Sequence, residues 1–219
     1  MTGITVRSMA AGDLPAAARL HATLLPHGFF PRLGQRYLQA YYRTFMASPH
    51  GIALVACLAD QPVGVLVGTT CNAAHYRWVI QHHGIPLAWL GAMAMLVRPA
   101  VAAWFVRTRL RRYARRLLRF PLRSVPAEHD AGTAGPAAGD IAVLTHVMVS
   151  DDVQGQGIGT ALADRFAMVA KAAGAPRATL VTMSGRAGAG TFYKRLGWEH
   201  LEDRSSHDGW QLSVFTRAL

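Results

Sequence analysis

Apolar and polar positions along the chain follow first one rhythm and then another. Ile4–Met9 reads as a short strand. Ala11–Leu25 is rich in helix formers, with Asp13 placed to cap and Pro15 in the first turn, and Pro26-His27-Gly28 ends it. Leu33, Tyr37, Leu38, Tyr41, Tyr42 and Phe45 recur near helical spacing and predict a second helix over Leu33–Met46. Two β-rich runs, Gly51–Ala59 and Val63–Thr70, flank Asp60-Gln61-Pro62 and predict a hairpin.

From about His75 to Gly139 the pattern changes. Ile85–Val97 is apolar, Arg98-Pro99 interrupts, and Ala100–Val106 is apolar again. The run is near membrane-spanning length, but the arginine, Pro86 and Pro99 argue for a pair of helices packed over the core or against another subunit. RTRLRRYARRLLRF follows, with Leu110, Tyr113, Leu117 and Phe120 three or four apart and arginines on the other faces. A basic amphipathic helix of this kind lies on a membrane, binds nucleic acid, or is simply a solvated face. Ala127–Gly139, rich in Ala, Gly and Pro, reads as a loop.

The last third is more regular. Ile141–Val149 predicts a strand, Gly157–Ala173 a helix, Ala178–Met183 a strand, and Ala187–Leu196 a shorter helix. Trp198–Leu201 and Trp210–Thr216 predict a final strand pair around Asp208-Gly209. Strand, helix, strand, helix in this order argues for an α/β layer structure containing a parallel pair.

Composition adds three constraints. At 219 residues with 51% hydrophobic, one domain (1–219) can build its own core. The net charge is +11, and nine arginines fall between Arg98 and Arg123, which favours anionic partners without choosing among them. Of the two cysteines, Cys57 should face a residue near position 65 rather than Cys71, so no disulfide is expected and a reducing compartment fits. No basic segment followed by an apolar run opens the chain. A cytoplasmic protein is therefore expected, or one peripheral to a membrane.

The chemistry concentrates in IAVLTHVMVSDDVQGQGIGTALADRF, where a strand runs into a glycine loop and a helix opens at once. Amides at a helix start lack partners and the helix dipole is positive there, so a phosphate or diphosphate is the natural guest. A P-loop needs Gly-Lys-Ser/Thr, which is missing, and a dinucleotide fingerprint needs glycine where Thr160 or Leu162 stands. Gln154, Gly157 and Gly159 instead fit Gln/Arg-x-x-Gly-x-Gly/Ala. About thirty residues on, TFYKRLGW resembles Phe-Tyr-x-x-x-Gly-Phe, with Trp198 for the last aromatic. Together they resemble the acetyl-CoA signature of the GNAT (GCN5-related) N-acetyltransferase family, specifically over about 141–199 and more loosely over 1–72. The segment 75–139 is an insertion outside the resemblance.

That resemblance implies a mixed, mostly antiparallel sheet, splayed between strands 4 and 5, with helices on both faces and a helical, Arg-rich insertion between strands 3 and 4. It implies that the backbones of Met148 and Val149 pair with the pantetheine arm of acetyl-CoA. The amides of Gln154, Gly155, Gln156, Gly157, Ile158, Gly159 and Thr160 would hold the pyrophosphate, and Ala189 matches a further cofactor position. Where relatives often carry asparagine this chain has Arg186, a candidate for a CoA phosphate to which the asparagine's role does not transfer. Tyr193 falls on the tyrosine that protonates the leaving thiolate; a purely packing aromatic is the alternative.

The implied reaction is direct attack of a neutral amine on the thioester in a ternary complex, with an amide near Val149 steadying the oxyanion. Relatives use a glutamate near the fourth strand as base, and here that strand offers Thr145 and His146 but no carboxylate. His146 titrates in the useful range, unless it is a hydrogen-bonded core residue. Glu128, Asp130 and Asp140 are weaker candidates. His75, His82 and His83 lack further ligands at metal spacing, so no metal is expected. The expected acceptor is a primary amine on a small molecule, neutral or anionic given the chain's charge. A peptide or protein acceptor stays open, as do a homodimer and an acyl-CoA sensor held on membrane or nucleic acid by residues 107–123.

Overall fold

The computed structural model describes residues 3–26, 28–107, 141–185, 188–206 and 209–219. The basic segment after Arg107, the loop 127–139, Glu128, Asp130, Asp140 and Arg186 lie outside them. In chain order the elements are β1 (Ile4–Ser8), α1 (Leu14–Leu24), α2 (Phe29–Leu33), α3 (Gln35–Ala47), β2 (Gly51–Leu58), β3 (Gln61–Thr69), α4 (Asn72–Leu96), α5 (Pro99–Phe105) and β4 (Ile141–Val149). Then come α6 (Ile158–Ala172), β5 (Arg177–Met183), α7 (Gly190–Arg195), β6 (Glu199–Ser205) and β7 (Gln211–Ala218).

One seven-stranded sheet runs β1-β2-β3-β4-β5-β7-β6, and every pairing is antiparallel except β4 with β5. Alternation along the strands divides the core into two layers. Leu54, Ala56 and Leu66 pack with Ile158, Leu162 and Phe166 of α6. Val55, Cys57, Val65 and Val67 pack with Leu14 and Ala17 of α1 and Tyr41, Tyr42 and Phe45 of α3.

Two features of β4 create an opening. Its parallel pairing with β5 covers only Ile141↔Arg177 to Leu144↔Leu180, so the strands part beyond Leu144. At the same place the register with β3 slips, since Val67 pairs with His146 but Gly68 pairs with Leu144. The extra residue, Thr145, makes a bulge that reverses the faces. Ala142 and Leu144 therefore belong to the α6 layer, whereas Met148 belongs to the α1–α3 layer. The expected splay is present, and the described part of the insertion is helical.

Several boundaries differ from the sequence expectation. Asp13 does not cap α1; its carboxylate accepts from the Ala10 amide at 2.7 Å and from both terminal nitrogens of Arg7 at 2.7 and 2.9 Å. The helix expected over Leu33–Met46 starts later, because Gly34 adopts φ +95° and separates α3 from the short α2. The hairpin turns at Ala59-Asp60, both at positive φ as a two-residue primed turn requires, so Cys57 faces Pro62 rather than position 65.

The Arg7–Asp13 pair fastens β1 to α1. The hydrogen bond from Arg7 holds the Asp13 carboxyl below its usual range. A depressed folded value stabilises the fold above the unfolded value and is lost as pH falls through the folded one. Arg7 is half exposed, so screening limits the gain. Asp13→Asn should cost about 1 kcal/mol at neutral pH. Chemical denaturation repeated below about pH 4 should show the difference shrinking.

Candidate active site

The loop after β4 makes a short 3-10 turn at Asp151–Val153 and then runs into α6. Gln154 braces it from within, its side-chain amide donating to the Val149 carbonyl at 3.2 Å and to Asp151 Oδ1 at 2.6 Å. Its own N–H faces the Asp151 carbonyl at 3.5 Å, and the first α6 amide with a helical acceptor is Ala161, bonded to Gly157. The amides from Gly155 to Thr160 thus reach no acceptor among the described residues. Gly155 and Gly157 take φ +80° and +82°, and a Cβ on either would meet only open space. These glycines are needed for backbone shape, and the space in front of them is open. Gly159 differs: a Cβ there would stand 3.2 Å from the Phe192 ring, so it also lets α6 approach α7. Positive partial charge and a row of unpaired donors make this an anion cradle.

The cradle adjoins the opening between β4 and β5. Hydrogen-bonding direction alternates along a strand. Ser150 donates to Val63 on β3 at 2.8 Å, so Met148, two residues earlier and opposite Val65, also turns its backbone to β3. The backbone groups of Val147 and Val149 point the other way, where β5 has left. Of the two backbones expected to pair with a ligand, that of Met148 is taken by β3, and the Val147 backbone and the Val149 amide face the opening instead.

Tyr193 lies on α7 in the α6 layer. The ending of that helix fixes it: Gly197, at φ +76°, donates to Lys194, and Trp198 donates back to the Tyr193 carbonyl at 3.0 Å. This pattern is a Schellman motif. It folds the Trp198 ring against Tyr193 at 5.9 Å, edge to face, with Phe192 on another side at 5.0 Å. Burial pushes the Tyr193 phenol up to about 12, so it keeps its proton at neutral pH. No described residue hydrogen-bonds its hydroxyl. Ala189 precedes the helix, its amide held by Thr182 Oγ1 at 3.1 Å. Gly197→Ala should lower stability by about 1–2 kcal/mol, since alanine resists the left-handed conformation; thermal melts measure this.

His146 sits on the opposite face, on the splayed part of β4. Its ring meets His21 of α1 at 4.8 Å, and its Nε2 lies 3.4 Å from the Tyr41 hydroxyl. Nearby, His21 Nδ1 is 2.6 Å from the Tyr42 hydroxyl, and burial pushes the phenols of Tyr41, Tyr42 and Tyr76 upward. Tyr193 and His146 thus lie on opposite faces of the sheet. A cleft of about 420 Å³ beside it, lined by Arg19, Thr23, Pro62 and Ser150–Asp152 among others, contains neither residue. Val147, Thr182, His21 and Tyr41 were not singled out by sequence. Their roles depend on a bulge and on cross-sheet contacts that leave no local pattern. Among the described residues no three His, Cys, Asp or Glu side chains cluster as metal ligands do.

Comparison with known proteins places this geometry. Residues 124–200 match the model of the acetyltransferase (GNAT) domain. The fold is similar to that of an acetyltransferase from Thermus thermophilus, at 17% identity and TM-score 0.55, over 99% of this chain and 97% of that one. It is similar to a GCN5-related N-acetyltransferase from Kribbella flavida, at 15% identity and TM-score 0.58, over 99% and 98%. A third similar structure is the ribosomal-protein-S18-alanine N-acetyltransferase from Escherichia coli, at 13% identity and TM-score 0.54, over 99% and 94%. None of the curated proteins matches the chain.

Proposed function

We propose, from a chain that carries an acetyltransferase (GNAT) domain on the fold of that family, an enzyme that moves the acetyl group of acetyl-CoA to a primary amine of a small molecule. The observation that carries this is the row of amides from Gly155 to Thr160 beside the opening of the sheet. A diphosphate fits the cradle by charge and by donor count. From there the pantetheine arm would run along β4 as an added strand, on the backbone groups of Val147. The thioester would then reach the opening between Tyr193 and His146.

The amine lone pair attacks the thioester carbonyl carbon, the C–N bond forms, and the C–S bond breaks. An amide on the splayed part of β4, that of Val149, faces the oxyanion. His146 takes the proton lost by the amine, with the Tyr41 hydroxyl against its Nε2. Tyr193 gives its hydroxyl proton to the leaving sulfur. A phenol near 12 is a weaker acid than a thiol near about 8.5. The donation therefore begins as a hydrogen bond that spreads the charge on sulfur. The net charge of +11 repels polycationic acceptors and favours a neutral or anionic amine.

Thiol release from acetyl-CoA against a panel of neutral, anionic and polycationic amines, with peptides as a further arm, tests the proposal. Turnover of at least one small amine above the hydrolysis background is expected. Turnover of peptides alone would move the acceptor to proteins, and none at all would remove the reaction. His146→Ala should slow turnover by about 100-fold or more while acetyl-CoA still binds. Unchanged turnover would return His146 to the core.

A further inference from the structure

The insertion between β3 and β4 presents an apolar surface that the acetyl-transfer site does not use. No charged residue occurs from Ile85 to Val97. The buried residues of α4 are His75, Val79 and Gly91, with Gly91 against the Tyr37 ring of α3. Ile85, Trp89, Met93 and Leu96, three or four residues apart, are instead 86%, 68%, 43% and 74% exposed. Val97 continues the surface at 72%. Such a stripe of large apolar side chains on one helix goes beyond the single exposed residues a folded surface ordinarily carries.

The surface is held in a fixed attitude. α4 and α5 meet at a 120° bend, and no single described helix is long and apolar enough to cross a membrane. The guanidinium of Arg98, at the bend, donates to the Leu33 carbonyl at 2.9 Å and fills the space beside Gly34, where a Cβ would fall 2.8 Å from it. Trp104 and Phe105 of α5 stack on Phe29 at 5.8 and 5.4 Å, with Arg32 over Trp104 at 4.9 Å. The corner is therefore pinned to α2, while Pro99, Ala100, Ala103 and Val106 stay exposed on its outer side.

Charge identifies the partner. No Asp or Glu occurs between Asp60 and Glu128, whereas arginines stand at 77, 98, 107, 109, 111, 112, 115, 116, 119 and 123. An aliphatic and indole face followed in sequence by a run of one positive sign is the composition that seats a helix at the headgroup boundary of an anionic bilayer. Nucleic acid would share the charge but has no use for Ile85, Met93 and Leu96. A second copy of this chain would bring the same positive charge against itself. We infer that the α4–α5 corner docks the protein on anionic membrane surfaces, with the Ile85–Leu96 stripe inserted. The inference does not depend on the acetyl-transfer reading.

Flotation of the full chain with vesicles tests it, comparing phosphatidylcholine alone with phosphatidylcholine containing about one-third phosphatidylglycerol. Partition to the anionic vesicles should be at least about tenfold stronger and should weaken with added salt. Trp89→Glu with Met93→Glu changes only exposed side chains and should reduce that partition by about tenfold or more. Replacing Arg111, Arg112, Arg115 and Arg116 by glutamine should remove the preference for anionic lipid while leaving the helices folded. Failure to float with either vesicle would overturn the inference. So would undiminished flotation of the Glu variant, salt-sensitive binding to a nucleic-acid duplex with none to vesicles, or self-association lost in the Glu variant with no flotation.

Discussion

Tyr193→Phe should slow acetyl transfer by about 100-fold or more while acetyl-CoA still binds. The substitution keeps the ring that packs against Phe192, Trp198 and Phe215, and removes only the hydroxyl. No described residue hydrogen-bonds that hydroxyl, so folding stability should change by less than about 0.5 kcal/mol. The loss should fall on kcat, because the hydroxyl meets charge only as the sulfur leaves. A packing aromatic predicts the reverse, a variant with ordinary turnover. Steady-state kinetics beside a thermal melt separates the two.

Gly157→Asp should weaken acetyl-CoA binding by about 100-fold, against a much smaller loss in Gly157→Asn. Both side chains tolerate the left-handed conformation that Gly157 holds at φ +82° better than others do. A Cβ there meets no protein atom, so neither variant disturbs packing. What separates them is a negative charge placed where a diphosphate would sit, at the positive end of α6. Equal loss in both variants would point to shape alone. Calorimetric titration of the two variants with CoA measures the difference.

Much of this site is local, and local features were legible. Gly155, Gly157 and Gly159 lie together between an apolar strand and an amphipathic helix, so the cradle could be read from a few consecutive residues. TFYKRLGW was legible for the same reason, since Gly197 closes a helix only six residues long and returns Trp198 to Tyr193. The strand Ile141–Val149 was also clear, but its inner geometry was not. Ile-Ala-Val-Leu-Thr-His-Val-Met-Val is apolar on both faces, and nothing in it marks Thr145 as the bulged residue. Without the bulge, the choice between the Met148 and Val147 backbones had no basis. Nor could His146 be placed on the face of α1 and α3.

Other misses have equally physical causes. α2 is five residues with a proline inside, too short to show a period. β6 extends to Ser205 through polar, mostly exposed residues at the sheet edge, so its alternation carries no hydrophobic signal beyond Leu201. The pin from Arg98 to Leu33 spans 65 residues of sequence and joins two elements with no shared pattern. The insertion was legible as two apolar helices broken at Arg98-Pro99. Its 120° corner and outward stripe are products of tertiary packing.

The most direct test is calorimetric titration of the unmodified chain with acetyl-CoA, beside a short acetyl thioester that lacks the diphosphate. Amides at the mouth of α6 that grip the diphosphate predict one saturable site for acetyl-CoA and no measurable heat with the short thioester. Folded protein that takes up neither, or takes up both alike, would contradict them.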